Sequence, residues 1–538
     1  MKQIKRNITA LVLAVVLACG AVALGACKKE PPVIPELTPA TVVTDLNERN
    51  RRTEVLEPLD NDFRSRTVTS YANINGKTVD LYTFYRDPDE AMNNPNFSQA
   101  LLLLQCIRYK EKHPEQSVRM SLTSFHLSVV ASACLDPNNP DYGRMKSLYD
   151  RDYTSDGYYR LSYLLVLAAQ KGIDVTVVGH LNGAATRQED GTKRDDYDYE
   201  EYFLSHMQDP AANGKTVADY MTMRKSYWTS YGDQAATDMM HVKSCTVSHR
   251  TDNSGNDHGP AVWLGSTNVD GLDWRGSNSN NSIQTGVIIT EHEELRRVIL
   301  NYTLLMSAYC KQEQVDEFRN LVTERTTAQS AALRSGETVP ADEQIVYIGT
   351  PTDSVFELYF TPFGGSANTW DTVNNPYCKY LEKLLLLNGD EGWIEVIWNN
   401  VKFSQNFELA DIIVEVIATA LRENPDVRNN LHLQLPGIDT TLFEGLVEGE
   451  NIGECSINEF GWPYHTKDLQ LSYVENGVRT YVTLYNSLNF HQGSMSYQSN
   501  TCLVVKETAA TGNHFYIDYA ILTTPGIFFE GRRVSAGR

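Results

Sequence analysis

Alternating strand-like and helix-like segments divide the chain into two similar halves. In the first half a strand-like run, a helix-like stretch and a second strand-like run follow one another at 118–125, 157–171 and 173–178. The second half repeats this order at 393–398, 407–423 and 431–435. Strands that alternate with helices of this length are typical of βαβ units, which build mixed sheets with helices on both faces. The pattern therefore predicts an α/β fold in two copies.

Each copy continues into a block of polar motifs in the same order. The first block contains His241-Val242-Lys243, Gly265-Ser266-Thr267-Asn268 and a strand-like run that begins at Gln284. The second contains His465-Thr466-Lys467, Asn486-Ser487-Leu488-Asn489 and a strand-like run that begins at Asn500. Of the twelve histidines, only His241 and His465 have a lysine two positions later. The recurrence of three elements in one order indicates an internal duplication.

A polar segment at 326–342 separates the two copies. It contains Gly336 and Pro340, as segments that connect domains commonly do. A helix-like stretch at about 291–310 precedes it and closes the first half. We therefore place the first half at 66–330 and the second half at 331–538.

The first 26 residues have the pattern of an export signal. Three basic residues precede an apolar run that ends in Leu24-Gly25-Ala26-Cys27. A basic start, an apolar stretch and small residues at its end are features of a secretory signal peptide. The cysteine directly after Leu-Gly-Ala resembles a bacterial lipobox, in which that cysteine is acylated. We therefore expect a signal peptide at 1–26, a lipid on Cys27, a polar linker at 27–65, and a membrane-anchored location on the extracytoplasmic side of the cell envelope.

The charge balance and the cysteines exclude some classes of function. Removal of 1–26 takes away three basic and no acidic residues, so 44 of the 47 Lys+Arg remain beside 68 Asp+Glu, a net charge of −24. Such a field opposes the gathering of nucleic acid or anionic membrane by bulk attraction. Seven cysteines follow Cys27 without a CxxC pair, which argues against a zinc cluster. The sequence therefore predicts no metal site, and small buried side chains for most of these cysteines.

The two polar blocks resemble the signature of the phospholipase D superfamily, His-x-Lys-x4-Asp followed by Gly-Ser-x-Asn. The resemblance covers residues 66–538, most closely 237–300 and 460–506. It implies two phospholipase D-like α/β/α sandwich halves that form a pseudo-dimer within one chain, with the active site between them. It further implies a phosphodiesterase that needs no metal, no other cofactor and no obligate protein partner.

The resemblance also implies a role for each motif residue. Residues two apart on a strand share a face, so each histidine and its lysine can point into one cleft. By resemblance, His241 is the nucleophile that forms a phosphohistidine, and His465 is the general acid and base. Lys243 and Lys467, with Asn268 and Asn489, would hold the phosphate oxygens. Ser266 and Ser487 complete the predicted substrate-binding set.

The chain departs from the signature at several positions. Ser248 and Ser472 stand where the family has the Asp of each motif, and Asn486 replaces the Gly of the second Gly-Ser-x-Asn. Gln284 occupies a position where many relatives have Glu, and Asn500 is its counterpart in the second copy. Tyrosyl-DNA phosphodiesterases resemble this chain in keeping His-x-Lys while lacking the usual Asp.

Three functions are compatible with these motifs. A phosphodiesterase that acts on a phospholipid headgroup is favoured, because it suits the predicted membrane tether and the negative net charge. The first alternative is a nuclease of the Asp-less His-x-Lys type. The second is a catalytically inactive phosphate-binding protein of the envelope, which the loss of both Asp residues would favour and the two intact His-x-Lys pairs oppose.

We predict that the mature chain fractionates with membranes through an acylated Cys27. Cys27→Ala should release the protein from the membrane or leave the precursor uncut, because no thiol is then present for lipid attachment. One acyl chain alone binds membranes only marginally, so stable attachment would require more than one chain. Mass spectrometry of the mature N-terminus tests this, and an unmodified Cys27 there would contradict the lipobox interpretation.

Overall fold

The computed structural model describes most of the chain between residues 59 and 523. The predicted signal peptide, Cys27 and nearly all of the predicted linker lie outside the described residues. Within the described part, no helix has the length and apolar character needed to cross a membrane. The described residues are 59, 61–63, 65–86, 95–125, 127, 132–134, 158–180, 199–226, 240–269, 284–363, 368–385, 395–400, 403–405, 407–423, 431–435, 438, 441, 465–508, 510–512 and 514–523.

The first half is built around one large mixed sheet. In chain order its elements are β1 (Thr67–Ile74), β2 (Lys77–Arg86), α1 (Pro95–Lys112), β3 (Arg119–Ser124), β4 (Ser132–Cys134), β5 (Tyr158–Arg160), α2 (Leu161–Gln170), β6 (Asp174–His180), α3 (Tyr199–His206), β7 (Met221–Ser226), β8 (Ser244–Val247), β9 (Arg250–Thr251), β10 (Asp257–His258), β11 (Ala261–Gly265), β12 (Gln284–Thr290) and α4 (Glu293–Ala308). The sheet has the order β1-β2-β12-β11-β8-β3-β6-β7. β6 is parallel to both β3 and β7, and the other neighbours are antiparallel.

The second half contains a smaller mixed sheet. Helix α5 (Val315–Arg334) leads into it, and its elements are β13 (Phe356–Phe360), α6 (Pro376–Leu385), β14 (Glu395–Asn400), α7 (Glu408–Glu423), β15 (Leu431–Gln434), β16 (Lys467–Glu475), β17 (Val478–Asn486), α8 (Gln492–Ser496), β18 (Thr501–Thr508) and α9 (His514–Thr523). The strand order is β13-β18-β17-β16-β14-β15, and only the β14–β15 pair is parallel.

The two sheets repeat one topology. The order β2-β12-β11-β8-β3-β6 in the first half corresponds strand for strand to β13-β18-β17-β16-β14-β15 in the second, with the same parallel and antiparallel pairings. The loops match as well, because a parallel bridge joins Leu127 to Val269 and its counterpart joins Phe403 to Phe490. The duplication that the motifs predicted is therefore present at the level of individual strands. β1 and β7 extend the first sheet beyond this shared unit.

Helices cover both faces of each sheet, as the α/β/α prediction requires. In the first half, one face buries Val175, Val177 and Cys245 against α1 and α2, and the other packs Val242 and Val287 on α4. In the second half, one face carries Trp398 and Leu471 and packs on α6 and α7. Its other face packs Ile397 and Tyr481 on α9. The five cysteines with described side chains are all buried and free, as predicted, namely Cys106, Cys245, Cys310, Cys378 and Cys502.

Two predicted element boundaries need correction. The helix predicted at 157–171 begins only at Leu161, because Tyr158 and Tyr159 belong to β5 and pair with β4. The polar segment predicted as a linker at 326–342 begins inside α5, which continues to Arg334 before Gly336 adopts a φ of 80°. The boundary at 330/331 stays a prediction.

Buried polar contacts join the two halves. His292, at the N-terminus of α4, contacts Asp353 of the second half with Nε2 to Oδ2 at 2.8 Å, and the Tyr347 hydroxyl donates to the same oxygen at 2.6 Å. Tyr302 of α4 stacks on Phe360 with 3.8 Å between ring centroids. Because these groups are buried, an unpaired partner would carry a large desolvation cost, which opposes separation of the halves.

Glu507 is a second buried link between the halves. Its carboxylate accepts hydrogen bonds from the Tyr71 hydroxyl of β1 at 3.0 Å and from the first-turn amides of Phe515 and Tyr516 in α9 at 3.2 and 2.8 Å. Burial, against the effect of these hydrogen bonds, raises the pKa of Glu507 to about 7. The Glu507 carboxyl group therefore links strand β1 of the first half to helix α9, in surroundings that disfavour its ionised form.

We predict that Glu507→Gln makes folding stability less dependent on pH. Because the pKa is raised in the folded state, stability is greatest below the unfolded pKa and falls as pH rises through the folded value. The neutral amide should remove that decline, worth on the order of 1–3 kcal/mol between pH 5 and pH 8. Urea unfolding at the two pH values measures it. An identical pH dependence in wild type and variant would contradict the assignment.

Candidate active site

The two His-x-Lys motifs lie at the N-terminal ends of equivalent strands, β8 in the first sheet and β16 in the second. His241 and Lys243 directly precede β8, and Lys467 is the first residue of β16, with His465 two positions before it. In each motif the lysine Nζ donates to the carbonyl oxygen of its own histidine, at 3.1 Å in the first and 2.9 Å in the second. The lysines are buried and their ammonium groups are thereby folded back beside the imidazoles. The local geometry of the two motifs is the same.

His241 is held by the second half. Its Nδ1 lies 2.8 Å from Asn500 Oδ1, and its backbone N–H donates to the Ser499 carbonyl at 2.8 Å. The Nδ2 of Asn500 donates to the Ser494 carbonyl and to Thr361 Oγ1, so the amide presents its oxygen to the imidazole. Nδ1 of His241 must therefore carry the proton of that contact. In the neutral ring this leaves the Nε2 lone pair available.

His465 is held by the first half through the reciprocal contact. Its Nδ1 lies 3.0 Å from Gln284 Oε1, and the same oxygen accepts from the Ser266 hydroxyl at 2.8 Å. Each histidine is thus oriented by an amide from the opposite half. Sequence analysis singled out Gln284 and Asn500 only as departures from Glu, and the structure brings both into direct contact with the predicted catalytic pair.

The serines and asparagines of the Ser-x-Asn motifs occupy different environments. Ser266 and Ser487 are 1% exposed. The Ser266 hydroxyl contacts the side-chain oxygen of Gln284 and accepts the backbone N–H of the next residue, Thr285. The Ser487 hydroxyl has the same relation to Asn500 and Thr501. Asn268 and Asn489 are each 7% exposed, slightly more than the two serines. The geometry suits the serines to orientation of the amides and the asparagines to contact with a ligand. The substrate-binding roles predicted for all four stay predictions.

The electrostatic surroundings of His241 come from both halves. Burial is the largest effect, and the charges of Lys243 and Lys467 add to it, so that the pKa of His241 lies well below its usual value. His465 contributes in the same direction. His241 is therefore neutral at physiological pH, in the form in which an imidazole is a nucleophile. The second-half lysine and histidine act on a first-half histidine, so all four groups lie within electrostatic range of one another.

Aromatic and histidine side chains border the first motif. Phe125 directly follows β3, and its ring centroid lies 4.9 Å from that of His241 and 5.1 Å from that of His180, the last residue of β6. The Nζ of Lys243 lies 5.3 Å from the same ring centroid. Phe125 thus supports both members of the first motif. Sequence analysis did not identify it, since an apolar residue at a strand end has no distinctive pattern.

The serines at the expected Asp positions lie away from the cleft. Ser248 is five residues beyond Lys243 along an extended chain, roughly 16 Å away, and its Oγ accepts the Arg119 amide at the start of β3. Ser472 holds the same place relative to Lys467 and contacts Arg479 at 3.4 Å. The losses of Asp therefore fall on structural positions. They leave the groups around the imidazoles intact.

The Gly-to-Asn change between the two copies has a packing cause. A Cβ on Gly265 would overlap the buried ring of Trp263, two residues earlier on the same strand face. In the second copy the smaller Leu484 takes the place of that tryptophan. Asn486 then fits, and its Nδ2 donates to the Tyr377 hydroxyl at 3.0 Å. Among the described residues, no group of three or more His, Cys, Asp or Glu side chains is arranged to hold a metal ion.

Several solved structures are similar to this chain at low sequence identity. Phosphatidylserine synthase from Haemophilus influenzae Rd KW20 shares 10% identity and a TM-score of 0.43 over 84% of this chain and 87% of its own. Yeast tyrosyl-DNA phosphodiesterase shares 10% identity and a TM-score of 0.31 over 72% of this chain and 83% of its own. Polyphosphate kinase from Porphyromonas gingivalis shares 10% identity and a TM-score of 0.36 over 79% of this chain, which spans 47% of the kinase. No family model and no curated protein sequence matches the chain.

We predict that Lys467→Met raises the pKa of His241. Removal of a positive charge across the cleft makes the imidazolium less unfavourable, and a shift of about one unit is expected for a charge at this range. Nitrogen-detected NMR of the imidazole measures the titration and identifies the Nδ1-protonated tautomer. Lys506→Met is the matched control. Lys506 forms an ion pair with Glu475, with 3.2 Å between Nζ and Oε2, and this pair lies away from the motifs. Equal responses to the two variants would contradict the shared cleft.

Proposed function

We propose that this chain, whose two α/β/α halves have the fold and paired His-x-Lys motifs of the phospholipase D superfamily, is a phosphodiesterase. One observation carries the proposal. Each histidine is oriented by an amide oxygen of the opposite half, His241 by Asn500 and His465 by Gln284. Such bonds fix Nδ1 of each ring, so Nε2 is the ring atom that can act on a group bound between the halves.

In the first step His241 Nε2 attacks phosphorus. The new P–N bond forms as the bond between phosphorus and the leaving oxygen breaks, and His465 Nε2–H gives its proton to that oxygen. The low pKa of His241 supports the nucleophilic role, because burial and two nearby lysines keep this imidazole unprotonated. Lys243 and Lys467 stabilise the negative charge on the non-bridging oxygens.

In the second step a water or an alcohol resolves the phosphohistidine. Its oxygen bonds to phosphorus, its proton passes to His465 Nε2, and the P–N bond breaks to return neutral His241. Hydrolysis and transfer differ only in the acceptor that enters. The amide of Gln284 stabilises the His465 ring in one orientation through both proton transfers.

A phospholipid headgroup is the substrate class that we favour. The net charge of −21 for the whole chain opposes bulk attraction of a polyanion, so a nucleic-acid substrate would need a local attraction that overcomes this field. The predicted lipid on Cys27 would hold the cleft near a membrane surface in the cell envelope. A nuclease of the Asp-less type is the alternative enzyme, and paired assays with lipid vesicles and single-stranded oligonucleotides separate the two.

A catalytically inactive phosphate-binding protein is the alternative outside enzymes. It was favoured in sequence by the loss of both motif Asp residues. The remote positions of Ser248 and Ser472 now weaken it, because neither replacement alters the surroundings of the histidines. An inactive binder would bind phosphate esters with no turnover.

The functional test compares His241→Asn with His465→Asn on two kinds of diester. His241→Asn should reduce turnover of every diester by at least about 1,000-fold, since no covalent intermediate forms. His465→Asn should slow diesters with poor leaving groups by about 100-fold or more and spare bis-p-nitrophenyl phosphate, whose leaving group departs without a proton. Acid-quenched His465→Asn should then accumulate phosphohistidine.

Matched controls and contrary outcomes are available within the chain. Ser248→Ala and Ser472→Ala should change turnover by less than about threefold, since each serine lies far from the phosphate site. A reversed pattern between the two histidine variants would exchange their roles. Absence of turnover by wild type on lipid, oligonucleotide and chromogenic diesters, together with phosphate-ester binding, would favour the inactive binder.

A further inference from the structure

The two halves differ at one buried position behind the motif lysines. The residue after each lysine lies on the opposite strand face and pairs with a residue of the neighbouring antiparallel strand, as Ser244 with Thr123 and Asp468 with Asn399. Consecutive strand residues point to opposite faces, so this position is covered by the closing helix of each half. The first half fills it with hydroxyls, since Thr123 contacts Thr303 of α4 at 3.1 Å. The second half places a carboxyl group there.

Asp468 is fully buried and hydrogen-bonded. Its Oδ2 accepts from Asn399 Nδ2 at 2.9 Å, and its Oδ1 accepts from the Tyr519 hydroxyl of α9 at 3.3 Å. Burial raises the pKa of Asp468 to about 7, although the hydrogen bonds and the charge of Lys467 oppose this effect. Because burial of an acidic group carries a desolvation cost, such a group commonly has a hydrogen-bonding partner or a functional role.

Lys467 is the charged group that acts on the pKa of Asp468 in the described part of the chain. Lys467 is on the same strand as Asp468, Tyr485 of β17 pairs with it, and Tyr519 of α9 contacts it. Tyr377 of α6 is within electrostatic range of the Asp468 carboxyl group. Burial raises the pKa of all three tyrosines far above neutrality, so they are uncharged. A negative charge on Asp468 therefore acts on the charged group of the second motif, Lys467.

A chain of contacts runs from Asp468 through the first half and back to His465. The Tyr519 hydroxyl lies 3.5 Å from Thr285 Oγ1 of β12. The Thr285 amide donates to Ser266 Oγ at 3.0 Å, and Ser266 donates to Gln284 Oε1, the atom that His465 contacts. In the first half, the hydroxyl of Tyr302 contacts Ser499, the neighbour of Asn500, and the Thr361 carbonyl, so its contacts within the described part of the chain include a hydroxyl and a carbonyl oxygen in place of a carboxyl group.

We propose that Asp468 is a positioning residue that acts through Tyr519 and Thr285 on the Gln284–His465 pair and makes the two histidines inequivalent. This inference rests on the proposed function and deepens it. A carboxylate acceptor fixes the direction of the Tyr519 hydroxyl and with it the place of β12, which carries Gln284. Its charge also favours the protonated form of the second-half histidine, which the general acid needs. His241, with Ser244 in the same position, lacks this support and serves as the nucleophile.

The kinetic test uses Asp468→Asn, with Ser244→Ala as the matched control from the first half. Asp468→Asn should slow a diester with a poor leaving group about tenfold or more beyond its effect on bis-p-nitrophenyl phosphate, because only the former needs the general acid. Tyr519→Phe keeps the acid but breaks the link, and should give the same leaving-group dependence. Ser244→Ala should alter neither rate by more than about twofold. A purely structural role would lower both rates equally and would overturn the proposal.

A second readout separates failure of this inference from failure of the proposed function. NMR titration of the His465 imidazole needs no turnover, and Asp468→Asn should lower the pKa of His465 by at least about half a unit through loss of the nearby negative charge. If wild type is inactive on all diesters but this shift occurs, the positioning role stands and the phosphodiesterase proposal fails. An unchanged titration in folded Asp468→Asn overturns the positioning role. If Asp468→Asn does not fold, the leaving-group dependence of Tyr519→Phe decides the question.

Discussion

Each histidine of the two His-x-Lys motifs is oriented by an amide that belongs to the other half of the chain. Asn500 holds His241 and Gln284 holds His465, so neither sheet contains a complete site. Everything else at the cleft follows from this exchange. The halves must meet in one relative position, which buried contacts such as Tyr302 on Phe360 and His292 with Asp353 stabilise. The same interface that stabilises the fold therefore sets the geometry of the chemistry.

The cleft concentrates positive charge inside a strongly negative protein. Two buried lysines lie beside two histidines, and burial with these charges lowers the pKa of His241. Such a site disfavours any further cation and favours an anion that can enter it. The arrangement suits a phosphate ester held by short-range contacts, while the overall charge of −21 offers no long-range attraction to a polyanion.

Duplication supplied two equivalent frameworks, and small substitutions made them unequal. Trp263 requires Gly265 beside it, whereas Leu484 leaves room for Asn486. Ser244 and Asp468 occupy the same position behind the motif lysines, yet only the second carries a carboxyl group. A two-step reaction through a covalent intermediate needs one nucleophile and one proton carrier. The proposed mechanism therefore requires the two halves to differ, and we infer that Asp468 on the buried face of β16 supplies the difference.

The sequence by itself determined the duplication, the α/β class and the pair of histidines predicted to be catalytic. Strand and helix periods are local properties, and a His-x-Lys spacing reports a shared strand face without any knowledge of the fold. The local sequence pattern predicted secondary structure less well where strand pairing determines it. Tyr158 and Tyr159, for example, belong to a strand instead of the predicted helix.

Only the tertiary structure decided which residues support the histidines. Asn500 is 259 positions from His241 and Gln284 is 181 positions from His465, so no sequence window contains either pair. Asp468 adjoins Lys467 in sequence, but its link to His465 passes through Tyr519 and Thr285, which come from different halves. Contacts between halves depend on how two sheets pack, and that packing is set by side chains distributed over the whole chain. For this reason the sequence identified the candidate reacting groups, while the folded chain alone determined their orientation and their surroundings.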